Sequence, residues 1–103
     1  GCHVTVMCGE EGETIIGDGN LIMNYVNVGH HVEIGNQNEI GARSLIAGYA
    51  TIGDRNKIKL NCTIRNRKSI GSDNIIGMCS NVVSDLGSKS LYFGNPCKKV
   101  KDL

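Results

Sequence analysis

Isoleucine or valine returns at every sixth position of the middle of the chain, from Ile16 through Ile22, Val28, Ile34, Ile40, Ile46, Ile52, Ile58, Ile64, Ile70 and Ile76 to Val82, without a break in phase. An amphipathic helix repeats its apolar face near 3.6 residues and a half-buried strand near two. A period of six is neither. It fits a chain in which each hexad supplies one short strand and one corner, with the apolar residue turned inward, so that successive coils stack as a parallel β-helix.

A slower rhythm lies over the first. Every third hexad opens Ile16-Gly17-Asp18, Ile34-Gly35-Asn36, Ile52-Gly53-Asp54 and Ile70-Gly71-Ser72, so three hexads, or 18 residues, make one coil. Glycine admits positive φ, and Asp, Asn and Ser bond back onto a turning backbone, so these glycines are expected to sit at tight bends. Two residues before an Ile or Val stand Thr14, Val26, Val32, Ser44, Ala50, Cys62 and Ser80, slender enough to face the inside of a narrow prism.

The expected fold is all-β, a single domain over 1–103 with about five coils of 18 residues in 1–85. Residues 1–15 keep the phase imperfectly, since Glu10 falls where an apolar residue belongs, and are expected to form a worn coil that shields the open end. The phase is lost from Leu86 onward. The tail 86–103, with the sole Pro and sole Phe of the chain, is expected to cap the strand edges of the last coil.

Composition narrows the function classes. A formal charge of +1 argues against a large nucleic-acid footprint, and 4% aromatics without Trp against a base-stacking platform. Nowhere is there an apolar run of the roughly 18 residues a membrane span needs, nor a charged-then-apolar leader, so no membrane association and a cytoplasmic location are expected. Five cysteines, an odd number with no Cys-x-x-Cys pair, read as free thiols in a reducing compartment, with Cys62 and Cys8 facing inward. No metal is expected.

One stacked column does not repeat. Positions 30, 48, 66 and 84 read His30, Gly48, Asn66 and Ser84, two residues beyond the Ile or Val of the same corner. A corner side chain points outward, so His30 is not expected to pack in the core. Adjacent His30 and His31 are expected to face different sides.

The hexad run resembles the left-handed β-helix acyltransferases of the hexapeptide-repeat superfamily. The segment Asn20-Leu21-Ile22-Met23-Asn24-Tyr25-Val26-Asn27-Val28-Gly29-His30-His31-Val32-Glu33-Ile34-Gly35-Asn36 is similar to the catalytic segment of the lipid A acyltransferases and of the sialic-acid and bacillosamine acetyltransferase group. The ending Leu91-Tyr92-Phe93-Gly94-Asn95-Pro96-Cys97-Lys98-Lys99-Val100 resembles the Gly-x-Pro-Ala-Lys motif of members that use coenzyme A, with Cys97 in place of Ala.

The resemblance implies a left-handed coil, a homotrimer, and acetyl transfer from acetyl-CoA to an amino group of a nucleotide-linked sugar, with a sugar hydroxyl as the alternative acceptor. It makes His30 the general base and the Gly48 N–H the partner of the thioester oxygen. Donor contacts fall on Gly48, Asn66, Arg67, Ser84, Pro96, Lys98 and Lys99, with Arg65, Lys68 and Lys101 as further positive charges for the phosphates. Some relatives follow the base with an acid that orients the ring. Here His31 stands there, and Glu13 or Glu33 is expected to take over that role. Three other readings stay open: a three-histidine zinc anhydrase, a non-catalytic assembly module, and the same chemistry with acyl carrier protein as donor, against which the ending Gly94-Asn95-Pro96-Cys97-Lys98 argues.

Overall fold

The computed structural model describes residues 4–6 and 14–103. The chain winds as a left-handed parallel β-helix whose strands fall into three sheets. The first sheet stacks Val4–Val6, Val26–Val28, Leu45–Ile46, Thr63–Ile64 and Asn81–Val82; the second stacks Ile15–Ile16, Glu33–Ile34, Thr51–Ile52 and Ser69–Ile70. The third stacks Leu21–Ile22, Glu39–Ile40, Lys57–Ile58, Ile75–Ile76 and Ser90–Phe93, and closes with Lys98–Asp102. Register confirms the 18-residue coil, with Ile34 paired to Ile52, Ile40 to Ile58 and Ile46 to Ile64.

In most two-residue strands the first side chain faces out and the second is buried, as the pleat requires. Ile40, Ile46, Ile64, Ile76 and Val82 have no exposed surface, and β-branched side chains suit this crowded pleat. The slender set holds its expected place: Val26, Val32, Ala50 and Cys62 are fully buried, and Ser44 and Ser80 nearly so. Burial pushes the Cys62 thiol up from its ordinary pKa.

The bends lie elsewhere than the glycine reading put them. Positive φ recurs every six residues at Tyr25, His31, Gln37, Arg43, Tyr49, Arg55, Asn61, Arg67, Asp73 and Cys79, three places after each Ile or Val, with φ between 55° and 65°. Gly35 and Gly53 are not among them. They are needed for close approach instead: a Cβ on Gly35 would stand 2.6 Å from the Gly53 carbonyl oxygen, and one on Gly53 2.5 Å from that of Gly71. The left-handed turn falls on ordinary side chains because every full six-residue corner from Tyr25 to Cys79 places one residue in that region, and only the shortened corner at 83–85 closes without it.

The corner between the second and third sheets holds a polar ladder. Asn38 and Asn56 are fully buried and Asn74 is 1% exposed. The Asn38 side chain donates to the Gly53 carbonyl at 2.8 Å, that of Asn56 to Gly71 at 2.8 Å and that of Asn74 to Gly87 at 2.7 Å. Each side-chain oxygen accepts the backbone N–H one coil on, as Asn56 N–H to Asn38 at 2.8 Å and Asn74 N–H to Asn56 at 3.0 Å. Buried amides satisfied on both ends are compatible with a packed interior.

Beyond Val82 the rhythm shortens rather than stops. Leu86 bridges Ile70, and Leu91 and Tyr92 pair with Ile75 and Ile76, each 16 residues apart. Two residues are missing from the corner at 83–85, and the Asp85 carboxylate compensates by accepting the Ser69 N–H at 2.9 Å. The final strand then folds back antiparallel on Ser90–Phe93. The expectations for residues 7–13, including Cys8, Glu10 and Glu13, lie outside the described residues.

Candidate functional site

His30 follows Val28-Gly29 at the corner between the first and second sheets, where the backbone leaves one strand and turns into the next. The coil above brings Ala47-Gly48-Tyr49 over it, and the Tyr49 N–H donates to the His30 carbonyl at 3.1 Å. The Gly48 carbonyl accepts in turn from Arg67 N–H at 3.1 Å, which aligns a third layer. So His30, Gly48 and Asn66 are stacked as the 18-residue period requires.

The ring of His30 lies directly against Gly48. A Cβ at position 48 would meet Cε1 and Nε2 of His30, both at 3.2 Å. At the neighbouring corner the corresponding amides of Asp18, Asn36 and Asp54 are capped by side-chain oxygens of Asn36, Asp54 and Ser72, at 2.8, 2.7 and 2.9 Å. Among the described residues the Gly48 N–H has no such acceptor. An exposed imidazole beside an uncommitted amide suits proton transfer next to a developing negative charge.

The histidines do not point apart. Their Nδ1 atoms are 3.0 Å apart, so among the described residues it is the His31 ring, and not Glu33, that meets Nδ1 of His30. Tyr49 stacks flat on His31, with centroids 4.6 Å apart and planes at 7°, and meets His30 edge-on at 5.2 Å. The Arg67 guanidinium lies 4.5 Å over the Tyr49 ring. His31, Tyr49 and Arg67 are thus one vertical stack, built on three consecutive left-handed residues of this corner. Above it Arg65, Asn66, Arg67, Lys68 and Val83 line a shallow basic depression.

Comparison with known proteins bears on this corner. A family model described as bacterial transferase hexapeptide (six repeats) matches residues 13–48. An acyl-[acyl-carrier-protein]–UDP-N-acetylglucosamine O-acyltransferase of Pseudomonas paraeruginosa is 32% identical over 89 residues, 86% of this chain and 34% of its own. The crystal structure of the Arabidopsis UDP-N-acetylglucosamine acyltransferase superposes with a TM-score of 0.89 at 25% identity, over 96% of this chain and 35% of that one. The Neisseria gonorrhoeae serine acetyltransferase gives 0.82 at 28% identity, over 87% and 39%.

The chain belongs to the hexapeptide-repeat acyltransferase superfamily. It spans about a third of the length of the curated relatives it matches.

Not every residue singled out in this hexapeptide-repeat chain reaches the histidine corner. Ser84 stays at this corner, between Val82 of the first sheet and Leu86 over the second, in the layer that is two residues short; the tail residues do not. Cys97 N–H donates to the Asn81 carbonyl at 2.9 Å, which sets Pro96 at the corner between the third and first sheets, and Lys98–Asp102, with Lys98 and Lys99, edges the third sheet. Lys99 forms an ion pair with Asp102, which raises its pKa. What sequence reasoning missed is Tyr49. The available signal was its place 18 residues after His31 and 18 before Arg67. Among the described residues no helix is long and apolar enough to cross a membrane.

Proposed function

We propose that the corner of His30 and Gly48 transfers an acetyl group from acetyl-CoA to an amino group of a nucleotide-linked sugar. The observation that carries this reading is the seating of the His30 ring against Gly48, whose N–H has no acceptor among the described residues. A thioester is already activated, so the protein must orient it, remove one proton and meet one negative charge. Nε2 of neutral His30 takes the proton of the attacking amine, a service worth about 10²–10⁴ in rate. The new C–N bond pushes charge onto the carbonyl oxygen, where the Gly48 N–H donates; losing such a donor costs about 3–4 kcal/mol. Collapse expels the thiolate, which His30 reprotonates.

Arg65, Asn66, Arg67 and Lys68, one layer above Gly48, are the donor's phosphate contacts in this reading. His30 lies on an exposed ridge, and a reacting pocket needs walls. A second subunit in a homotrimer supplies them; Ser84 continues the column above Asn66, and Pro96, Lys98 and Lys99 meet the donor from the neighbouring chain. The names of the relatives favour a second reading on two points, a sugar hydroxyl as acceptor and acyl carrier protein as donor.

The test is turnover of acetyl-CoA, and separately of acyl carrier protein thioester, against a panel of amino-sugar and plain sugar nucleotides. His30→Ala is expected to leave the fold intact and remove most turnover. Activity retained within about tenfold, below the ordinary value of a general base, overturns the assignment.

A further inference from the structure

The Nδ1 atoms of His30 and His31 stand 3.0 Å apart. Two bare ring nitrogens at that distance repel, and two N–H groups collide, so one of the pair donates and the other accepts. We infer that His31 is a positioning residue that fixes the tautomer of His30: the proton sits on His30 Nδ1 and is donated to Nδ1 of His31, which leaves His30 Nε2 bare beside Gly48. The direction of the bond rests on the reading of His30 as the base, which requires an unprotonated Nε2. Its existence rests on the distance alone.

Three features hold His31 in place for this. Its backbone is left-handed, with φ 56°, so the side chain leaves the corner along a direction set by the coil. Its ring lies parallel to Tyr49, which is itself covered by Arg67. And Tyr49 closes edge-on against His30, so one phenol ring braces both imidazoles. At Nδ1 of His30 the partner is thus an imidazole rather than a carboxylate. A neutral imidazole acceptor does the same work, and still receives a charge-assisted hydrogen bond when His30 takes up the substrate proton.

The chemistry of position 31 suggests the variants. Asn carries an oxygen on Cγ where His carries Nδ1, and it tolerates left-handed φ better than most residues. Phe keeps the ring for Tyr49 and removes the acceptor.

The tautomer is read by ring-nitrogen NMR on uniformly ¹⁵N-labelled protein, at a pH where both imidazoles are neutral and with no substrate present. The expected spectrum assigns His30 as the Nδ1–H form and His31 as the Nε2–H form. His31→Phe should return His30 to the Nε2–H form that predominates in a free histidine side chain, and His31→Asn should keep the Nδ1–H form. A wild-type His30 protonated on Nε2, or one indifferent to His31→Phe, overturns the inference. In acetyl transfer, His31→Phe should lower kcat by at least about tenfold with KM little changed, and His31→Asn should recover most of it. Since the spectra need no turnover, their failure sinks the positioning role alone, whereas a fully active His30→Ala sinks the acyltransfer reading.

Discussion

Nε2 of His30 lies 3.2 Å from the point where a Cβ of residue 48 would stand, so the histidine ring fills the space that Gly48 leaves empty. Two residues 18 apart in sequence form one feature, and residue 48 cannot grow without moving the His30 ring.

Gly48→Ala tests that relationship. The backbone at 48 does not need positive φ, so the added methyl group has one main effect, to push the His30 ring off its seat. The coil should still fold, with a thermal midpoint close to that of the parent. Misplacing a catalytic group by about 1 Å can cost 10²-fold, and a loss in kcat of roughly tenfold to a hundredfold is expected. Steady-state kinetics beside a melting curve separates the two effects.

The contrast case is Gly35→Ala. Its Cβ would meet the Gly53 carbonyl at 2.6 Å and the Asp54 side chain, and a backbone oxygen in a stacked coil has nowhere to go. Forced overpacking of this kind costs about 1–3 kcal/mol. Chemical denaturation should show that loss, though position 35 is not at the histidine corner.

Asn56→Leu probes the buried ladder. It removes the donor to the Gly71 carbonyl and the acceptor of the Asn74 N–H, leaving both groups buried without partners. Each orphaned group costs about 1–3 kcal/mol, and leucine's apolar surface does not replace them. If Asn56→Leu is as stable as the parent in urea, the ladder is not holding the coils.

Thiol labelling reports the packing directly. Cys62 is fully buried, its pKa raised chiefly by that burial, and its Sγ lies 3.2 Å from the Gly77 carbonyl. Cys79 is exposed at the corner between the third and first sheets. Iodoacetamide on the native protein should modify Cys79 well before Cys62, as peptide mass mapping would record, because the thiolate is the reactive form. Equal rates would mean that the coil opens at Cys62.

Much of the architecture could be read in advance because a stacked coil translates sequence period into space almost literally. Ile34, Ile52 and Ile70 are 18 apart in sequence and neighbours in the second sheet, and the slender residues that precede such positions are inside where expected. The stacking of Gly48 over His30 was legible for the same reason. The bends were not, because glycine has two uses, unusual φ and close approach, and a sequence does not say which one Gly35 serves. The two-residue shortening after Val82 was hidden as well: Leu86 looks out of phase until the strand it covers is known.

By itself, then, the sequence determined the coil, its 18-residue pitch, the inward columns and the layer-by-layer order of His30, Gly48 and Asn66, since each depends only on how far along a regular path a residue lies. Tertiary structure alone decided which atoms meet within a layer and across it. The Nδ1 contact of His30 with His31, the stack of His31, Tyr49 and Arg67, and the separation of Lys98 and Lys99 from that corner depend on left-handed backbone turns and side-chain directions. Those arise from closing the coil on itself, and no spacing along the chain encodes them.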